Sequence, residues 1–161
     1  ANASFLAMPA LIIGWNPDPH ISIIEIIGLV VWVLAYIMEA TADAQKLSFL
    51  RKMSSLGKKN QVCNVGLWRY TRHPNYFAEW MVWNGLVIAT IPSWWALKDV
   101  EHIAIWVLLG LSLLFVIRVM YLSLVYLTGA VPSEFYSLQK RPDYKQYQEK
   151  TNMFFPGPLK K

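Results

Sequence analysis

Two uninterrupted apolar runs limit this chain more than any other feature: "ISIIEIIGLVVWVLAYIMEA" (Ile21 to Ala40) and "IAIWVLLGLSLLFVIRVMYLSLVYL" (Ile103 to Leu127). Each reaches the roughly 20 apolar residues a helix needs to cross a bilayer core. Neither has the one-sided polarity of a helix resting on a water-soluble core. A third run begins at Pro74 and continues through "YFAEWMVWNGLVIATIPSWW" to Trp95. A shorter one, "SFLAMPALIIGW" (Ser4 to Trp15), covers about two-thirds of a spanning length. It reads as the end of a helix whose beginning is missing. The expected fold is an all-α integral membrane protein, a bundle of four hydrophobic helices at about 4–15, 21–40, 74–95 and 103–127 within a single membrane domain over 1–161. The turn "ALKDVEH" is short enough to make the last two an antiparallel hairpin.

Composition agrees. Apolar residues make up 55% of the chain and charged ones 16%, eight residues are Trp, and the mean hydropathy is +0.32. That balance belongs to a bilayer, so the net charge of +5 reads as interfacial and topogenic and nucleic acid is not the expected partner. The single Cys63 excludes an internal disulfide and argues against a Cys-based zinc site. His20 and His102 fall in turns on one side and His73 on the other, so no metal site is expected. The chain has no H-E-x-x-H and no Gly-rich phosphate loop.

Charge sets the expected orientation. Lys46, Arg51, Lys52, Lys58, Lys59, Arg69 and Arg72 lie between Gln45 and His73 with no acidic residue among them. The tail after Leu127 adds Lys140, Arg141, Lys145, Lys150, Lys160 and Lys161, whereas the opposite turns hold only Lys98. The positive-inside rule then makes the basic loop and the C-terminus cytoplasmic. The loop from Lys46 to Thr71 is long for a connection between spanning helices and reads as a binding loop. In the tail, "RPDYKQYQEKT" predicts a short cytoplasmic helix started by Pro142 and Asp143.

Ionisable groups inside or beside spanning helices are costly and suggest function. Glu39 and Asp43 share a helical face at the cytoplasmic end of the second apolar run, where a solvated helix end accounts for them better than a function does. In "GLWRYTRHPNYFAEW" (Gly66 to Trp80), Pro74 suits a first helical turn, and Asn75 and Glu79 follow on one face. Arg72 and His73 precede that N-terminus, where free amides and the helix dipole favour anions. Two readings stay open: a mouth for a phosphate-bearing cofactor, or arginines that meet lipid phosphates while Glu79 pairs with one of them. Arg118, inside the fourth apolar run and nearer its cytoplasmic end, is expected either to snorkel or to pair with Glu79 or Asp43, the pair being favoured.

The stretch "LWRYTRHPNYFAEWMVWNG", preceded by "EATADAQKLSFLRK" and followed by "RPDYKQYQEKTNMFFP", resembles the C-terminal part of the steroid 5-alpha-reductase family, in its bacterial branch of membrane proteins. The resemblance runs from about Glu39 to Pro156; Ala78 stands where the family usually has Gly. It implies an integral-membrane, NADPH-dependent reductase of an enone-type C=C bond in a steroid- or isoprenoid-like substrate, placed in a bacterial inner membrane. By position it implies cofactor contacts at Asp43, Arg51, Asn75, Glu79 and Tyr144; Arg72 and His73 of the anion-favouring mouth, with Tyr76 of the same motif, complete the candidate cofactor site. Glu134 and Tyr136 of "SEFY" stand where the family has a His and a Tyr. Glu79 is the one candidate catalytic residue within the chain. The family's carbonyl-polarising Glu and Tyr lie on helices upstream of Ala1, so the chain is expected to be the cofactor-binding part of a longer protein.

Two other classes compete. Membrane methyltransferases of the isoprenylcysteine carboxyl methyltransferase type share the Arg-His-Pro-x-Tyr signature but use S-adenosylmethionine. Asn75 followed by Glu79, and the upstream "EATADAQ", favour the reductase. The third class is a non-catalytic membrane scaffold.

Overall fold

The computed structural model describes residues 4–18 and 20–160. Among them every regular element is helical. A 3-10 turn, Ser4–Ala7, leads into α1, Met8–Gly14. Then come α2, Ile23–Ser55; a 3-10 turn, Gly66–Arg69; α3, Pro74–Ala96; and α4, Ile103–Leu122, prolonged by a π-helical stretch, Ser123–Leu127. Two short helices close the chain: α5, Ala130–Lys140, and α6, Tyr144–Lys150. Among the described residues two helices are long and apolar enough to cross a membrane: α2 and the run that begins with α4.

The largest departure from expectation is α2. Its apolar run ends at Ala40, yet the helix continues to Ser55 and absorbs much of the expected loop. Thr41 to Ser55 holds no Gly or Pro and is rich in Ala, Leu, Lys, Gln, Arg and Met, all strong helix formers. Its start is a capping box: Ser22 N–H donates to Glu25 Oε2 at 2.6 Å, and Glu25 N–H to Ser22 Oγ at 3.2 Å. Its end is a Schellman turn on Gly57, whose φ of 67° suits glycine, with Lys58 N–H reaching Met53 O at 2.9 Å. The connection that remains before the 3-10 turn is 56–65. A second departure is α5, a separate helix after Gly129 that hydropathy alone does not reveal.

The chain divides into two compact units, each described by itself: Ala1–Ala35 with Trp80–Tyr121, and Tyr36–Glu79 with Leu122–Lys161. The first has a core of Ile12, Val87, Leu97, Leu113 and Val116. Its α2 and α3 segments approach at backbone distance, because a Cβ on Gly28 would lie 2.3 Å from Ala89 N and one on Gly85 2.7 Å from Trp32 N. Small residues at such crossings are how helices associate where lipid supplies no hydrophobic drive. The α3 and α4 segments form the expected antiparallel pair. Trp80 Nε1–H donates to Ile117 O at 3.2 Å, and Trp94 and Trp106 stack at 4.5 Å, each indole N–H donating to the other's carbonyl. Arg118 is exposed, with its guanidinium 5.9 Å from the Tyr121 ring. Arg118 takes part in no ion pair among the described residues.

Candidate functional site

Every candidate residue named from the sequence falls in the second unit. The unit is tied together by the segment before α3 and by the C-terminal tail. Leu67 N–H donates to Gln45 Oε1 at 2.8 Å and Trp68 Nε1–H to Ala42 O at 2.9 Å, which fixes the 3-10 turn on α2. Thr71 Oγ–H donates to Phe154 O at 2.9 Å, Arg72 N–H to Asn152 O at 2.8 Å and Gly157 N–H to Tyr70 O at 3.0 Å. Tyr147 O–H donates to Trp68 O. The tail therefore holds residues 68–72 from the far end of the sequence.

Glu134 is the centre of this unit. Oε1 accepts from Arg72 Nε at 2.6 Å and from His73 Nε2 at 3.0 Å. Oε2 accepts from Arg72 Nη2 at 3.1 Å and Gln148 Nε2 at 2.5 Å. Arg72, His73 and Glu134 are buried, at 7%, 5% and 6% exposure. Burial alone would raise the Glu134 carboxyl, but the bonds from His73, Arg72 and Gln148 outweigh it and hold its pKa at about 2. Burial holds the His73 imidazole below the usual histidine value, with the hydrogen bond to Glu134 pulling the other way. A neutral imidazole facing a carboxylate must carry its proton on Nε2.

Arg72 Nη1 donates to Gln148 O at 2.9 Å and also to Thr151 O. Its fork is engaged by Glu134 and by main-chain carbonyls. Arg72 is thus a clamp between the start of α3 and the tail, and Glu79 is not its partner. His73 stacks on Tyr76, ring centroids 5.3 Å apart and planes 1° from parallel.

One turn into α3 the picture changes. Asn75 Oδ1 is buried and has no hydrogen-bond partner. Such an orphan costs about 1–3 kcal/mol. Glu79, half-buried and one turn further, lies within electrostatic reach of Glu39 and Asp43. These carboxylates do not gather into a metal cage; no group of three or more His, Cys, Asp or Glu able to hold a metal occurs among the described residues.

The other candidates scatter more. Asp43 and Arg51 are exposed on α2, and Tyr136 is 60% exposed and rests edge-on against Phe135. Tyr144 is buried against Tyr147, and burial, helped by the Glu134 charge, pushes its hydroxyl up to about 12. Residues missed by sequence reasoning are Thr71, Trp68, Tyr147 and Gln148, which build the framework, and Lys46 and Arg141. One signal was present. Glu134 is the only acid between Leu127 and Lys140, and Ala130, Glu134, Ser137 and Arg141 recur on one face of α5.

An all-helical fold with two helices long enough to cross a membrane, and one polar unit built on a buried Arg–His–Glu hub, defines the class of protein. Residues 2–151 match the family described as "Protein of unknown function (DUF1295)", and the chain belongs to that family. No curated protein and no solved structure is matched by the chain.

Proposed function

We propose that this chain carries the cofactor-binding site of a membrane-embedded, NADPH-dependent reductase that acts on an enone-type C=C bond of a lipid-like substrate. The observation that carries the reading is the unpartnered, buried Oδ1 of Asn75. A buried acceptor without a donor calls for a ligand that brings one, and a primary carboxamide such as that of a nicotinamide ring does so. The association of the family with steroid 5-alpha-reductase-like proteins supports the same reading. So does the "NYFAE" spacing, which sets Glu79 on the face of Asn75.

In this reading Asn75 and Glu79 hold the ring amide, Asn75 by accepting a hydrogen bond. When bound, the cofactor supplies the hydride. The residues of this chain bind and orient. The hub fixes the entry to α3, so that Asn75 is presented from a segment whose backbone is pinned on both sides. Asp43 and Arg51 are exposed on α2, and in this reading they meet the dinucleotide from the solvent. In this reading the chain sits in a bacterial inner membrane, with the basic loop and tail on the cytoplasmic side by the positive-inside rule.

The test is a binding titration of purified protein in lipid discs. NADPH binding that Asn75→Ala weakens by tenfold or more is the expected result. Binding of S-adenosylmethionine in place of NADPH would make the protein a methyltransferase, and binding of neither would favour the scaffold.

A further inference from the structure

With the Arg72 fork engaged by Glu134 and main-chain carbonyls, the phosphate groups of any ligand must find other cations. Two face one small cavity of about 40 Å³ in the second unit, Lys46 from α2 and Arg141 from the end of α5. Lys46 Nζ lies 4.5 Å from the Trp68 ring centroid, and Arg141 Nη1 donates to Ser137 Oγ at 2.9 Å. Neither is in an ion pair with a carboxylate among the described residues. The only carboxylate in the hub beside the cavity, Glu134, already accepts four hydrogen bonds, two of them from Arg72.

The rest of the lining is suited to an anion. Beside the apolar Leu50, Val62 and Trp68, Ser133, Ser137, Gln61 and Tyr144 bring donors, and no Asp or Glu lines the cavity among the described residues. A space this size holds a few waters or one tetrahedral oxyanion. Two like charges left facing each other across it repel; a doubly charged oxyanion between them converts that repulsion into charge-assisted hydrogen bonds.

We infer that the Lys46–Arg141 cavity is a binding site for a phosphate monoester. Two sources share that chemistry: the ribose phosphate that distinguishes NADPH from NADH, and the headgroup of a lipid such as phosphatidic acid. The dinucleotide source rests on the function proposed above; the site itself does not.

The experiment uses the full chain in discs of neutral phosphatidylcholine, at constant ionic strength. Inorganic phosphate is expected to raise the Tm of the wild type. Lys46→Gln and Arg141→Gln should each weaken phosphate binding roughly tenfold to hundredfold, the range for one charge-assisted hydrogen bond. Arg141→Lys, which keeps the charge, should retain part of it. Circular dichroism checks that each variant is folded.

Two further arms separate the sources. NADPH binding at least tenfold tighter than NADH, with the gap closed in both Gln variants, assigns the site to the dinucleotide. Stabilisation by phosphatidic acid without nucleotide, lost in the same variants, assigns it to lipid. If NADPH does not bind but phosphate protection still depends on Lys46 and Arg141, the reductase reading fails and the site stands. The inference is overturned if phosphate gives no protection, or gives protection that the folded variants keep.

Discussion

Arg72 and Glu134 meet side-on through two hydrogen bonds, Nε to Oε1 at 2.6 Å and Nη2 to Oε2 at 3.1 Å, with both side chains buried. The pair joins the turn before α3 to α5, and Gln148 and the Thr151 carbonyl extend it to the tail. A desolvated pair of this kind is costly to break from one side, because the surviving charge stays buried.

Glu134→Gln should therefore destabilise the protein by about 3–5 kcal/mol. Glu134→Gln combined with Arg72→Gln should cost clearly less than the sum of the two single changes, since neither charge is then left alone. Urea unfolding in detergent, followed by circular dichroism, gives the comparison. Additive losses would show that the pair contributes no coupling.

Acid should act on the same hub. The Glu134 pKa of about 2 lies below its ordinary 4.5, so its stabilisation is present above about pH 4.5 and is lost as pH falls through 2. At about 1.36 kcal/mol per pKa unit this is on the order of 3 kcal/mol. His73, buried and depressed below 6.5, works in the same direction from a higher pH: the unfolded imidazole takes up a proton that the folded one resists. The Tm should fall gently below pH 6.5 and steeply from 4.5 downward. In Glu134→Gln the steep part should flatten, and an unchanged acid profile in that variant would remove Glu134 as its cause.

Much of the fold was legible because hydropathy and helix signals are local. The apolar runs became helices, and the short "ALKDVEH" turn produced the antiparallel Trp94–Trp106 contact. The extension of α2 was hidden because the end of an apolar run is not the end of a helix; Thr41 to Ser55 is polar but helix-favouring. The "RHPNY" mouth was visible as an odd density of polar groups. What could not be read was which partner each would take. Arg72 and Glu134 are 62 positions apart, and nothing local chooses between Glu79 and Glu134 as the carboxylate for that guanidinium. Long-range choices of this kind are made by tertiary packing.

In the first unit, Gly28→Ala should be costly despite its small size. The added Cβ meets the backbone of Ala89 at 2.3 Å, and a main chain cannot swing aside as a flexible side chain can. Forcing α2 and α3 apart should cost about 1–3 kcal/mol. Gly14→Ala is the control: nothing lies within 4 Å of its Cβ, so stability should be unchanged or slightly higher. Thermal unfolding of the two variants side by side decides it, and equal Tm values would mean the crossing is not tight.

Asn75 gives the most discriminating prediction, because its effects on stability and on binding have opposite sign. Without a ligand, its buried Oδ1 has no donor, so the folded protein carries a desolvation cost of about 1–3 kcal/mol there. Asn75→Leu replaces the amide by an apolar group of similar size and removes the orphan. The ligand-free protein should then unfold at the same temperature as the wild type or higher. In the presence of saturating NADPH the order should reverse. The wild type gains stability by mass action, and the variant, with no acceptor for the carboxamide, gains little. A wild-type Asn75 kept only for folding would give the other pattern, a Tm loss in Asn75→Leu that is the same with and without NADPH. Measuring Tm for both proteins across an NADPH titration separates the two.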